Sequence, residues 1–122
     1  MRTINTIENS RFLETLLDVK KEIIKLLGDQ LVHLILFGSY ARNDQDPESD
    51  IDIMILVEGD EAQIEEHREA VTDIMAKLSM KYETLISLTE IPYKRYNEYL
   101  DTLPYYMNVN KEGIEIYGKK TA

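Results

Sequence analysis

The stretch Leu36-Phe37-Gly38-Ser39-Tyr40-Ala41-Arg42, followed after a short loop by Ser49-Asp50-Ile51-Asp52-Ile53, decides the fold of this chain. An apolar run over residues 31–37 ends abruptly at Gly38, and a second apolar run starts at Ile51. Short apolar runs without alternation are typical of strands buried on both faces. The stretch therefore predicts two buried strands, joined by a turn and a polar loop.

Two aspartates stand at alternate positions where the second run begins. Successive strand residues point to opposite faces, so Asp50 and Asp52 share one face while Ile51 and Ile53 point the other way. Two carboxylates on one face repel each other unless a cation lies between them, and a hard divalent cation with oxygen ligands is the usual partner. The pair therefore predicts a metal-binding site.

The Gly38-Ser39 pair is suited to binding phosphate. Glycine lets the backbone come close to a ligand, and Ser39 heads a segment that can open a helix, whose first N–H groups attract phosphate. Arg42 follows one turn later, either as a positive charge for the same phosphate or as a structural ion-pair partner. A phosphate-binding turn beside an acid pair suits phosphoryl or nucleotidyl transfer, because that chemistry depends on positioning and charge neutralisation.

These residues resemble a known family. Gly38-Ser39, ten intervening residues and then Asp50-Ile51-Asp52 resemble the signature of minimal nucleotidyltransferases of the DNA polymerase β-like superfamily. The local form Gly-Ser-Tyr-Ala-Arg…Ser-Asp-Ile-Asp-Ile is similar to antitoxin-type members, which pair with HEPN-domain toxins. The resemblance implies an α/β (α+β) domain in which helices flank a small mixed sheet, with the turn and the acid pair at one edge.

The resemblance also implies an activity: Mg²⁺-dependent transfer of AMP from ATP to a hydroxyl, here a tyrosine of a HEPN toxin. Gly38, Ser39 and Arg42 would bind the triphosphate. Asp50 and Asp52 would ligate two metal ions. Family members place a third carboxylate early in the next strand, where this chain has Glu83. Glu83 is interpreted either as a third metal ligand or base, or as a solvated residue at the strand edge.

The remaining sequence predicts the elements around this site. Asn9 or Ser10 caps a helix that ends at Gly28, and residues 1–9 are a loose lead-in. Beyond the two strands, the pattern predicts a helix over 61–81, a third strand over 82–90, a short helix from Ile91-Pro92, a turn over 110–113, a closing strand over 114–117 and a tail over 118–122.

Length and charge bound the function. The chain has 122 residues and is interpreted as one domain, 1–122. Its net charge of −9 argues against binding nucleic acid, which relies on Lys and Arg. The absence of cysteine excludes thiolate chemistry, and no apolar run reaches membrane-spanning length or forms a signal peptide. We therefore expect a cytoplasmic protein that receives its nucleotide through metal ions and local donors.

Two other functions stay open. Six of the eight tyrosines lie from Tyr93 onward, and tyrosine favours both cores and protein interfaces. With the acidic charge, this cluster is compatible with a non-catalytic antitoxin that neutralises its partner by occlusion. Modification of a small hydroxyl compound, such as an aminoglycoside, is the third hypothesis. Homo-oligomers and hetero-oligomers are equally open.

Overall fold

The structure is a computed structural model that describes residues 1–119. Its strands are β1 (Arg2–Thr3), β2 (Leu31–Phe37), β3 (Ile51–Val57), β4 (Ile86–Pro92) and β5 (Ile114–Gly118). Its α-helices are α1 (Ser10–Leu27), α2 (Ser39–Arg42), α3 (Glu61–Tyr82), α4 (Tyr93–Tyr99) and α5 (Pro104–Glu112). Short 3₁₀ turns follow β1 and precede β2.

The five strands form one mixed sheet in the order β1-β5-β2-β3-β4. Strands β2 and β3 are antiparallel, as are β2 and β5, whereas β3 and β4 run parallel. Because β2 runs into the Gly-Ser turn and β3 starts from the acid pair, their antiparallel pairing brings the two halves of the motif to one edge. The predicted small mixed sheet flanked by helices is confirmed.

Helices cover both faces of the sheet. On one face, α1 and α3 pack over the core that includes Ile51, Ile53 and Ile55, each 3% exposed or less. On the other face, α4 and α5 cover a smaller cluster that includes Met54 and Leu56. This second cluster leaves the start of β3 uncovered, so Asp52 is half-buried beside it rather than enclosed.

The two long helices begin at capping residues. The Asn9 side chain accepts a hydrogen bond from the N–H of Phe12 at 2.9 Å, as predicted for the start of α1. Asp60 and Gln63 form a reciprocal capping box at the start of α3. These caps fix the residue at which each helix starts.

Several predicted elements were wrong in their bounds. The short helix α4 begins at Tyr93 rather than at Ile91-Pro92, because β4 continues through Pro92. The lead-in contains strand β1, which pairs with β5 in parallel. The third strand begins at Ile86 rather than at residue 82, because α3 continues through Tyr82. Instead of a turn, residues 110–112 form the last part of α5, in which the hydroxyl of Tyr96 bonds the Asn110 side chain. Residues 120–122 of the predicted tail lie outside the described residues.

Over residues 1–119, every helix is too short or too polar to cross a membrane.

Candidate active site

The candidate site lies where β2 ends and β3 begins. Phe37, the last residue of β2, pairs with Asp52 across the two antiparallel strands. Gly38 follows Phe37 directly, so the turn lies beside the aspartate although the two are far apart in sequence. The structure thus brings together the Gly-Ser turn and the acid pair.

Gly38 and Asp52 are in close contact. A Cβ added at residue 38 would lie 2.5 Å from Oδ2 of Asp52. Gly38 also has φ 78° and ψ −157°, a backbone region that is essentially restricted to glycine. Both the backbone conformation and the space beside the carboxylate therefore require glycine at this position.

The turn after Gly38 is a single helical turn, α2. The Gly38 carbonyl accepts hydrogen bonds from the N–H groups of Ala41 and Arg42, each at 3.1 Å. The first N–H groups of a helix have no acceptor within it, so those of Ser39 and Tyr40 are left to donate elsewhere. This geometry supplies backbone donors beside the acid pair.

The ionised form of Asp52 is disfavoured by its surroundings. Burial, together with the charge of Asp50, raises the pKa of the Asp52 carboxyl above its usual value, while Arg42 opposes that rise. Asp50 itself is exposed, just before β3. A cation bound by both carboxylates would relieve their repulsion and favour the ionised form of Asp52.

Arg42 is held by two carboxylates at the rim of the site. Its Nε donates to Oδ2 of Asp44 at 3.1 Å, and its Nη1 to Oε2 of Glu112 at 3.3 Å. These partners raise the pKa of the Arg42 guanidinium. Of the two interpretations left open from the sequence, the ion-pair role is the one the geometry displays, although Arg42 remains close enough to influence Asp52.

Glu83 does not occupy the strand position on which its interpretation as a third ligand was based. It follows α3 as an exposed residue with φ 53°, three residues before β4 begins. The helix is longer than predicted because the buried Tyr82 donates its hydroxyl hydrogen to Asp18 of α1 at 2.7 Å. Within residues 1–119, no three or more His, Cys, Asp or Glu side chains are placed to hold a metal together.

The residues of β4 beside the acid pair are not carboxylates. Ser87 pairs with Asp52 across the parallel strands, and the N–H of Ile51 donates to the carbonyl of Leu85 at 2.9 Å. Leu85, which lies just before β4, is 55% exposed. The site therefore offers two carboxylates, which is the number that Mg²⁺ commonly takes when substrate phosphates and water complete its shell.

Arg2 is a residue at the site that the sequence did not reveal. Its Nη2 donates to the carbonyl of Ala41 in α2 at 2.7 Å and to the carbonyl of Glu112 in α5 at 3.1 Å. The ring of Tyr40, also in α2, stacks on Phe12 of α1 with centroids 5.0 Å apart. The N-terminal segment thus holds α2 through contacts between residues that are distant in sequence, which leave no local pattern.

A cavity opens on the other side of Gly38, between β2, α2 and α5. Its volume is about 310 Å³, and Phe37, Tyr105 and Asn108 line it. Burial, Tyr106 and the charge of Asp52 raise the pKa of the Tyr105 hydroxyl. Tyr105, which the sequence placed only in a general tyrosine cluster, therefore belongs to the surroundings of the acid pair.

A mixed sheet that joins a Gly-Ser turn to two alternating aspartates defines a domain built for nucleotidyl transfer. The model of the family "Polymerase beta, Nucleotidyltransferase" matches residues 21–122, and the chain belongs to this family. The resemblance to minimal nucleotidyltransferases of the polymerase β-like superfamily is confirmed, and the protein is a nucleotidyltransferase. Arg2, β1 and the first half of α1 lie before the matched region.

Two proteins of Methanocaldococcus jannaschii are similar in sequence, and both are provisionally named protein adenylyltransferases. MJ0141 is 42% identical over 83 residues, which are 68% of this chain and 80% of MJ0141. MJ0604 is 36% identical over 84 residues, which are 69% of this chain and 76% of MJ0604.

Solved structures show the same fold. A chain of a toxin–antitoxin complex crystallised with AMP-PNP is 21% identical with a TM-score of 0.55, over 86% of this chain and 74% of that chain. A chain of a mutant MntA–HpeT toxin–antitoxin complex is 19% identical, with the same TM-score and the same coverage.

Proposed function

We propose that this chain is a Mg²⁺-dependent adenylyltransferase that moves AMP from ATP to a tyrosine hydroxyl of a HEPN-type toxin. The observation that carries this proposal is the contact between Gly38 and Asp52. It places a carboxylate directly beside the turn whose backbone donors suit phosphate. The phosphates of a nucleoside triphosphate bound at that turn would lie beside Asp50 and Asp52.

The site fits a divalent metal. Asp52 is half-buried at the start of β3, and burial together with the charge of Asp50 raises the pKa of its carboxyl. Asp50 and Asp52 would hold Mg²⁺, with phosphate oxygens and water as the remaining ligands. When bound, Mg²⁺ supplies charge neutralisation for the phosphates and for the leaving group. The family resemblance implies two such ions, and we include that number in the proposal.

The reaction forms one bond and breaks another. The acceptor hydroxyl oxygen attacks the α-phosphorus, the bond between the α-phosphorus and its bridging oxygen breaks, and pyrophosphate leaves with the electron pair. The hydroxyl proton is lost to solvent. The chain positions the reactants in line: Gly38 and Ser39 orient the triphosphate, and the carboxylates set the location of the transferring phosphate.

A protein acceptor is supported by the relatives and by the charge. Both similar proteins of M. jannaschii carry names that specify transfer to protein. The net charge of −9 disfavours a nucleic-acid acceptor and favours a basic protein partner. The HEPN toxin as partner follows from the likeness of the Gly-Ser-Tyr-Ala-Arg segment to antitoxin-type members. We keep the cytoplasm, where ATP is abundant, as the predicted location.

Intact mass of the partner tests this function. The partner toxin is incubated with ATP, Mg²⁺ and either wild type, Asp52→Asn or Asp73→Asn, the last being an exposed acid of α3 on the other side of the sheet. We expect the partner to gain whole AMP units with wild type and Asp73→Asn and to gain none with Asp52→Asn. A parallel incubation with small hydroxyl compounds and labelled ATP tests the small-molecule hypothesis. A labelled small-molecule product, with no labelled protein, would show that the acceptor is a small hydroxyl compound rather than the toxin.

Neutralisation by occlusion is the second candidate, and two observations favour it. Beside the acid pair the chain has Ser87 of β4 and, just before that strand, the exposed Leu85, neither of which is a carboxylate. Around α5, the side chains of Leu103, Tyr105 and Met107 are each more than 40% exposed. A stable complex in which the partner gains no mass, and which Asp52→Asn forms equally well, would support occlusion over transfer.

A further inference from the structure

We propose that the cavity between β2, α2 and α5 binds the nucleoside end of the substrate, with Tyr105 stacking on the base and Asn108 reading its edge. This inference rests on the proposed function, because it assigns the part of the nucleotide that the phosphate-binding turn does not hold. It adds a second set of binding residues, contributed by α5 rather than by the Gly-Ser and aspartate motif.

The cavity is continuous with the phosphate-binding turn. Gly38 lines it and also touches Asp52, so a ligand whose phosphates lie at the acid pair can extend past Gly38 into this space. A volume of about 310 Å³ lies at the lower end of the range for small-molecule sites. It therefore suits part of a nucleotide rather than the whole molecule.

One face of α5 forms the wall of the cavity. Tyr105, Asn108, Val109 and Glu112 follow the spacing of a single helical face, and all four line the cavity. Val109 is only 2% exposed and forms an apolar floor, whereas Tyr105 is 45% exposed. The wall thus combines an apolar floor with an accessible aromatic ring, which is the usual character of a site for a planar ligand.

The aromatic side chains of the cavity are arranged to receive a base. The rings of Phe37 and Tyr105 meet edge to face, with centroids 5.9 Å apart and an angle of 85°. Tyr106 also lies at an angle to Tyr105, with centroids 5.2 Å apart, and Tyr105 is still 45% exposed, so part of its ring stays accessible to a ligand. Bases stack on such exposed aromatic faces.

The charges of the cavity favour the nucleoside over further phosphate. Its lining cation is Arg42, which already pairs with Glu112 at 3.3 Å and with Asp44 at 3.1 Å. The charge of Arg42 in the cavity wall is therefore balanced by its carboxylate partners. A neutral base and ribose can enter without breaking these pairs, whereas an additional phosphate would have to compete for the guanidinium.

Asn108 gives the cavity a means of choosing a base. Its carboxamide has one donor group and one acceptor group, which match the N6 amino group and N7 of adenine in a bidentate pair. Guanine presents two acceptors at the same edge, so it satisfies only half of the amide. The cavity is accordingly expected to prefer ATP to GTP.

Binding of two ligands tests the assignment without any transfer reaction. We would titrate α,β-methylene-ATP, which cannot release pyrophosphate, and inorganic tripolyphosphate, each with Mg²⁺, by isothermal calorimetry. Tyr105→Leu should weaken the binding of α,β-methylene-ATP by roughly tenfold or more, as expected for loss of base stacking. Its affinity for tripolyphosphate should stay within about twofold of the wild-type value. Tyr105→Phe should bind like wild type, as should Tyr99→Leu, a control at a tyrosine of similar exposure in α4.

The same titrations separate this inference from the proposed function. If wild type binds neither ligand, the proposed function fails. If wild type binds both ligands and Tyr105→Leu binds α,β-methylene-ATP equally well, or loses both ligands in parallel, the cavity assignment is overturned while the function stands. For Asn108→Leu, we expect the preference for the adenine over the guanine analogue to fall about tenfold; an unchanged preference would contradict the role of Asn108.

Discussion

The Cα of Gly38 lies against the carboxylate of Asp52, so that a β-carbon at residue 38 would stand 2.5 Å from Oδ2. This contact ties the conformation of the turn that we propose binds phosphate to the position of a proposed metal ligand. A change at either residue is therefore expected to disturb both halves of the site.

Gly38→Ala should abolish transfer. The new methyl group would displace the Asp52 carboxylate, and misplacement by about 1 Å can reduce an enzyme's rate by about 100-fold. The backbone conformation should also cost about 1–3 kcal/mol in the free energy of unfolding. The measurements are the transfer rate and urea unfolding.

Gly28→Ala is the matched control for this change. Gly28 also has a positive φ, 54°, but a Cβ there would meet nothing within 4 Å. It should therefore lose stability and keep the wild-type transfer rate. Equal loss of transfer in the two variants would show that backbone strain, rather than the contact with Asp52, explains the effect.

Asp52→Asn should stabilise the metal-free protein at neutral pH. The pKa of Asp52 is raised in the folded state above its ordinary value of 3.8. Because the folded state then holds this proton more tightly than the unfolded state, wild type loses stability as the pH rises from about 3.8 through the raised pKa. The variant lacks this loss, so the stability gap opens with rising pH. Thermal unfolding across pH in the presence of a chelator measures it.

Added Mg²⁺ should make wild type more stable than Asp52→Asn. Binding to the folded state stabilises wild type by mass action, whereas Asp52→Asn has lost one of its two carboxylates. We expect Mg²⁺ to raise the melting temperature of wild type and of Asp73→Asn, but not that of Asp52→Asn. An equal Mg²⁺ response in all three proteins would exclude Asp52 as a ligand.

Asp18→Asn should have the opposite effect on stability. Hydrogen bonds from Lys81 and Tyr82 lower the pKa of Asp18 in the folded state. A depressed pKa stabilises the folded state above the unfolded value, and that contribution is lost as the pH falls through the folded pKa. We expect Asp18→Asn to lose about 1–2 kcal/mol at neutral pH and to approach wild type in acid. A loss that persists unchanged in acid would contradict the assignment.

Arg2→Gln should weaken nucleotide binding through α2. The guanidinium of Arg2 bonds the carbonyl of Ala41 at 2.7 Å, and α2 supplies the donors beside Gly38. Loss of this charge-assisted bond should cost about 1.5–3 kcal/mol of stability and raise KM for ATP more than it lowers kcat. Arg68→Gln, which removes an exposed pair with Glu65 on α3, is the control and should change neither. Unchanged KM in Arg2→Gln would limit Arg2 to a structural role.

The parts of the site that could be predicted are determined by residues close together in the sequence. Strands β2 and β3 follow from two apolar runs, and strand alternation places Asp52 on the face opposite to Ile51 and Ile53. Asp50 lies just before β3, so its shared face with Asp52 stays a prediction. The glycine at residue 38 marks the turn between the two strands. Antiparallel pairing of the two strands then places the Gly38 turn beside Asp52 at one edge of the sheet.

The parts that could not be predicted depend on contacts between distant residues. The strand expected from residue 82 begins later because Tyr82 is buried against α1, and that packing extends α3 and leaves Glu83 after the helix. Arg2 of β1 reaches the carbonyl of Ala41 in α2, and Tyr105 lines a cavity with Gly38 only because α5 packs against β2. Each of these positions is determined by tertiary packing, which overrides local propensity.

The most direct test of nucleotidyl transfer at this site follows the label of ATP. The partner protein is incubated with Mg²⁺ and ATP labelled either at the α-phosphate or at the γ-phosphate, with wild type, Asp52→Asn or Asp73→Asn. We expect the α-label to enter the partner with wild type and Asp73→Asn, the γ-label to enter it in no case, and Asp52→Asn to transfer neither. Transfer of the γ-label, or of the α-label by a folded Asp52→Asn protein, would contradict adenylyl transfer at the pair of carboxylates beside Gly38.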